Sequence, residues 1–158
     1  MNENPHNTPF TPETAFAFHG SHTRAVDAKG RFNLPFKFLR GGSGPEEEKF
    51  VISKGADGSL SLLPHSVWLA NFNRLRQGEP GPKLRAYLRR MSTSSRIVEP
   101  DSQGRVAVSC EILAEFGIDK KITIVGIGNY MELWDPAALE AVNAEVAGED
   151  AFNDEFFR

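Results

Sequence analysis

The sequence holds a single cysteine, Cys110, so no disulfide can form within its 158 residues. That usage fits a reducing interior, and a cytoplasmic protein is the expectation. Long apolar runs are missing as well, which leaves no candidate transmembrane helix and no expected membrane partner. The opening stretch MNENPHNTPFTPETAFAF has no basic segment followed by an apolar one and does not read as a secretory signal. Positive charge is scarce too. The net charge is −3 and the pI about 5.8, which by itself argues against a nucleic-acid binder.

The charge is unevenly spread. Residues 132–158 hold eight acids against one base, Arg158, a net of −7. The rest of the chain is therefore mildly basic, at +4. An acidic average of this kind excludes little.

Catalytic and metal-ligating patterns are also lacking. Of the four histidines, His6, His19, His22 and His65, only His19 and His22 are close. On a strand that spacing points them to opposite faces, and no second cysteine completes a zinc set, so neither metal nor cofactor is expected. Two aspartates in a doubled chain could suggest an acid protease dyad. Such a site needs a small hydroxyl residue and then glycine after each Asp. Here the followers are Ala28-Lys29 and Ser102-Gln103, and an enzyme is not expected. Cys110 has no identified base beside it and reads as a small packed residue.

What the sequence does have is a repeat. DAKGR (Asp27–Arg31) returns as DSQGR (Asp101–Arg105), 74 residues later. The flanks follow: Phe32 matches Val106, Leu34 matches Val108, and Phe38-Leu39 match Ile112-Leu113. Farther on Gly55 matches Gly126 and Leu62 matches Leu133. Each copy reads strand, turn, strand, short helix, strand, glycine turn, strand, helix. Two copies are too few for a solenoid, so a pseudo-two-fold single domain is expected, each half's sheet finished by the other. The divisions by sequence are a disordered extension over 1–17, repeats over 18–94 and 95–147, and an acidic tail over 148–158.

Local signals agree. Ser109 and Asp135 are placed to cap helices, and Gly117 to end one. Leu139, Val142 and Val146 are spaced along one face of the last helix. Between the repeats, QGEPGP separates two helical stretches. One carries Trp68, Phe72 and Leu75 on one side; the other carries Leu84, Leu88 and Met91 inward and Arg85, Arg89 and Arg90 outward.

The Asp-x-x-Gly-Arg stretch reads as a tight hairpin. The carboxylates of Asp27 and Asp101 can accept backbone N–H groups two or more residues on. Gly30 and Gly104 supply the positive φ. Arg31 and Arg105 then start the outgoing strands, each with a rigid fork of donors. An arginine there can simply pair with its own aspartate. Two matched arginines on equivalent turns suit a target that is itself repeated, such as a phosphate backbone and groove.

F-x-G at Phe18–Gly20, then VDAKGRFNLPFKF, FVISKGADGSLSLLP, VEPDSQGRVAV and IVGIGNYMELW, together resemble the MraZ family over Phe18 to Val146. The resemblance implies an α+β fold, a pseudo-two-fold double-split β-barrel of swapped-hairpin (AbrB-like) halves with flanking helices. It implies a nucleoid-associated transcriptional regulator of the cell-division and cell-wall gene cluster. Such a protein forms a ring-shaped homo-oligomer and binds promoter direct repeats in double-stranded DNA upstream of its own operon. The family's DNA-contacting motif falls on Asp27–Arg31 and Asp101–Arg105. Residues 1–17 precede the usual start, and Val108-Ser109 stands where Ile-Pro is common. On this basis Arg31 and Arg105 are the expected DNA contacts, with Lys29 toward phosphate, Gln103 toward a base edge, and Arg24 and Arg96 assisting. The Arg85–Arg90 cluster is expected to face the acidic C-terminal end of a neighbouring subunit instead. The rival reading is an AbrB-like, antitoxin-like interaction module acting through its tail, EDAFNDEFFR.

Overall fold

The computed structural model describes residues 18–39 and 49–158; the expected disorder of 1–17 lies outside them. Among the described residues eight strands and six α-helices follow in order. They are β1 (Phe18–Ala25), β2 (Arg31–Asn33), α1 (Phe36–Leu39), β3 (Phe50–Lys54), β4 (Leu60–Pro64), α2 (His65–Arg76) and α3 (Pro82–Ser94). Then come β5 (Arg96–Val98), β6 (Arg105–Ala107), α4 (Cys110–Glu115), β7 (Lys121–Gly128), β8 (Met131–Trp134) and α5 (Pro136–Glu145). A 3₁₀ turn (Glu149–Phe152) and α6 (Asn153–Phe156) end the chain.

Six strands form one antiparallel sheet in the order β1-β7-β8-β4-β3-β5, and β2 and β6 pair separately. The halves therefore exchange strands. β1 of the first pairs with β7 of the second, and β5 of the second pairs with β3 of the first. The registers respect the pseudo-two-fold: Phe32 faces Val106, Ser61 faces Glu132, and Arg31↔Ala107 mirrors Asn33↔Arg105. One core joins both repeats, with Phe18, Phe32, Phe38, Phe50 and Leu62 packed among Val106, Leu113, Ile122, Ile124 and Leu133. The boundary near residue 95 divides the sequence, not the core.

The helix ends follow their capping residues. The Ser109 hydroxyl accepts from Ile112 N at 3.4 Å, and the Asp135 carboxylate accepts from Ala138 N at 3.0 Å. Gly117 ends α4 in a left-handed turn in which Gly117 N donates to the Ala114 carbonyl and Ile118 N to the Leu113 carbonyl.

Three expectations need correction. α5 stops at Glu145, so Val146 lies beyond it and is exposed. Cys110 is exposed rather than packed, its thiol donating to the Ala28 carbonyl at 3.5 Å. The flanking strands of each turn do not form a hairpin: β1 and β2 share no ladder, nor do β5 and β6. A three-residue strand with one inward side chain is stabilised better by the matching strand of the other repeat, where Phe32 meets Val106 in the core.

Candidate nucleic-acid interface

The two turns are built alike, bond for bond. Asp27 N donates to the Arg31 carbonyl at 3.0 Å, and Gly30 N to the Asp27 carbonyl at 3.0 Å. Asp101 and Arg105 repeat the first at 2.8 Å, and Gly104 repeats the second at 3.0 Å. Oδ1 of Asp27 accepts the N–H groups of Lys29 and Arg31 at 2.9 Å each, and Oδ1 of Asp101 accepts those of Gln103 and Arg105 at the same distance. Gly30 and Gly104 both sit at φ 77°, closing a three-residue connection on its left-handed position.

These bonds act on the carboxylates. The backbone N–H of Arg31, followed by the weaker help of its side chain and of Lys29 N, lowers Asp27 to about 2 against an opposing desolvation. Asp101 is lowered in the same way, chiefly by the backbone N–H of Arg105. Both turns keep their anchor ionised throughout the physiological range.

Each anchor also holds its arginine, by one nitrogen only. Arg31 Nε donates to Asp27 Oδ2 at 2.7 Å, and Arg105 Nε to Asp101 Oδ2 at 2.9 Å. Among the described residues no hydrogen bond engages Nη1 or Nη2 of either arginine. The self-pairing that was one reading of the motif is thus present, and it leaves the outer edge of each fork open. About a third of each arginine side chain is exposed, 35 % and 30 %.

The β2–β6 ladder sets their relation. Phe32 and Val106 face the core, so Arg31, Asn33, Arg105 and Ala107 share the outward face by strand alternation. Arg31 and Arg105 are diagonal neighbours there, an offset of about 7–8 Å in an antiparallel pair. Leu34 N donates to the Gly104 carbonyl at 3.1 Å and Val108 N to the Gly30 carbonyl at 3.0 Å, so each turn is braced by the other repeat. Asn33, exposed between the two arginines, escaped the sequence reading; counting every second residue from Arg31 would have found it.

The other candidates stand apart from this pair. Lys29 and Gln103 are exposed at opposite ends of the ladder. Arg24 and Arg96 lie on β1 and β5, opposite edges of the six-stranded sheet. Their Nη1 atoms donate to nearby carbonyls, Arg24 to Thr23 and Arg96 to Thr93 and Ser95. His22 packs edge to face on Phe38, and burial, then the charges of Arg24, Lys37 and His19, lower its imidazole below the ordinary value. Among the described residues no group of three or more His, Cys, Asp or Glu could hold a metal, and no helix is long and apolar enough to cross a membrane.

The family sequence model described as "MraZ protein, putative antitoxin-like" matches residues 91–156, which include the second turn and most of the C-terminal segment. The Transcriptional regulator MraZ of Corynebacterium diphtheriae is 32% identical over 132 residues, covering 81% of this chain and 87% of that protein. The chain belongs to the MraZ family. Its namesake relative in Mycobacterium ulcerans is 32% identical over 149 residues, covering 88% of this chain and 99% of that MraZ. A third MraZ, from a Mycobacterium sp., is 32% identical over 125 residues, covering 77% and 82%. The family resemblance read from the doubled motif is thereby shown.

Proposed function

We propose that this chain is a sequence-specific DNA-binding transcriptional regulator that reads DNA with the outward face of its β2–β6 ladder. One observation carries the reading: two arginines on one face, each held at Nε by its own aspartate and open at Nη1 and Nη2. An arginine presented in that way can donate two parallel bonds to guanine O6 and N7 or to a phosphate. B-DNA's major groove, about 12 Å wide, admits a two-stranded ribbon of this kind. Asn33 and Gln103 add amides able to read a base edge; Lys29, Arg24 and Arg96 add charge toward the backbone.

The relatives' printed name, Transcriptional regulator MraZ, supports the same reading. A bidentate contact discriminates by only about 1–3 kcal/mol. Useful specificity then needs several protomers on successive direct repeats, each raising the effective concentration for the next. This fits a ring-shaped homo-oligomer, built on a double-split barrel of swapped-hairpin halves, acting upstream of its own operon in the cell-division and cell-wall gene cluster. The exposed Phe152, Phe156 and Phe157 favour a second reading, an antitoxin-like module that holds a partner protein by its tail.

A gel-shift titration against DNA upstream of the protein's own gene tests the first. Arg31→Ala with Arg105→Ala should weaken binding and flatten the salt dependence by roughly 0.9 in log–log slope per lost phosphate contact. Equal affinity and equal slope for wild type and variant would remove the arginines from the interface.

A further inference from the structure

Helices α2 and α3 run for 12 and 13 residues without one buried side chain. Helices in a folded domain normally bury an apolar stripe, and these have one that is only half covered. Trp68 and Phe72 stack with ring centroids 5.0 Å apart. With Leu75, Tyr87, Met91 and Leu63 they line a cavity of about 260 Å³ between the helices and the sheet. That is the room of roughly nine waters at about 30 Å³ each, enough for an aromatic side chain. Its rim is basic. Lys54 and Arg74 border it, and Arg90 lies over the Tyr87 ring at 5.2 Å.

The chain carries the complement of this groove at its own end. Phe152, Phe156 and Phe157 are 69%, 80% and 79% exposed, and Asp150, Asp154 and Glu155 are exposed among them. Three uncovered rings interleaved with acids match an apolar cavity edged with arginines, in both shape of chemistry and sign of charge. Within one chain the segment leaves its rings bare.

We propose that the α2–α3 groove receives the C-terminal segment of a second copy of this chain, a phenylalanine in the cavity and Asp150, Asp154 and Glu155 against Lys54, Arg74 and Arg90. This rests on the self-association proposed above and names its surfaces. Groove and tail are different patches, so the contact is head-to-tail, the type that closes into a ring when its rotation allows.

The full chain with a photoreactive benzoylphenylalanine in place of Phe156, prepared in isotopically heavy and light forms and mixed, gives the decisive reading. Crosslinks between heavy and light chains should map to α2 and α3. Lys54→Glu, Arg74→Glu and Arg90→Glu together should abolish them and weaken self-association by roughly tenfold or more at about 0.1 M salt. Reversing Asp150, Asp154 and Glu155 to lysine in that background should restore both. Far-ultraviolet circular dichroism should stay unchanged, because every altered residue is exposed, while the melting temperature falls with the weakened assembly. Crosslinks confined to one chain, or an oligomer of unchanged mass in the variant whose basic residues alone are reversed, overturn the docking while assembly stands. A wild type that sediments as a monomer overturns the self-association as well.

Discussion

Replacing Gly30 with alanine should destabilise the protein more than replacing Gly104, although both glycines hold φ 77°. The left-handed backbone costs an alanine about 1–2 kcal/mol at either site. The surroundings decide the rest. A Cβ on Gly30 would land on the carbonyl oxygen of Val108, a backbone atom of the paired repeat. Relief requires the β2–β6 ladder to shift, and the 3.0 Å bond from Val108 N to the Gly30 carbonyl is the first to suffer. Each lost bond of this type costs about 0.5–1.5 kcal/mol, so with two lost the substitution totals roughly 2–5 kcal/mol. A Cβ on Gly104 instead meets Leu39 Cδ1 at 2.7 Å, the rotatable end of a side chain. A rotamer adjustment costs about 0.5–1.5 kcal/mol, giving roughly 1.5–3.5 kcal/mol in all. Urea melts followed by circular dichroism, at one protein concentration, should place Gly30→Ala about 0.5–1.5 kcal/mol below Gly104→Ala. Equal midpoints, or a larger loss at Gly104, would refute the close approach as the cause.

The carboxylates give a pH signature. Asp27 is held near 2 in the fold, so its contribution is complete above the unfolded value of 3.8 and disappears as pH falls toward about 2. Wild type and Asp27→Asn should therefore differ in stability at neutral pH and converge in strong acid; a gap that persists below pH 2 would refute this. The two helix caps should differ in strength: Asp135→Ala, losing a 3.0 Å bond, costs about 1 kcal/mol, and Ser109→Ala, losing one of 3.4 Å, costs less. Thermal melts of the two variants check the order.

The turns and caps were legible because a few adjacent residues determine them. Asp, Gly and Arg at fixed spacing settle a closed hydrogen-bonding circuit, and Ser109, Gly117 and Asp135 act on groups within four residues. The pseudo-two-fold was legible because matched apolar positions imply matched registers. The pairing of β2 with β6 was harder to read. Local spacing favours a hairpin, and only the burial of Phe32 against Val106, from the other repeat, decides otherwise. Val146 was misjudged for a related reason, since an apolar residue at the right period reveals a face and not whether anything covers it; Cys110 was misjudged because lacking a base beside it says nothing of burial. The same gap surrounds Trp68, Phe72 and Leu75, whose stripe is plain in sequence and whose cover is not. At the site, the motif revealed that Asp and Arg are partners, but only coordinates reveal that Nε alone is engaged.

The exchange of β1 and β5 between the halves also constrains synthesis. While the ribosome is still making the second repeat, β1 has no β7 and the edge of β3 has no β5. A nascent first repeat thus carries open strand edges and a bare Phe18 and Phe32 until the remaining sixty or so residues emerge. Two such unfinished chains on one message present each other with β1 and β3, the first-repeat counterparts of the strands each lacks.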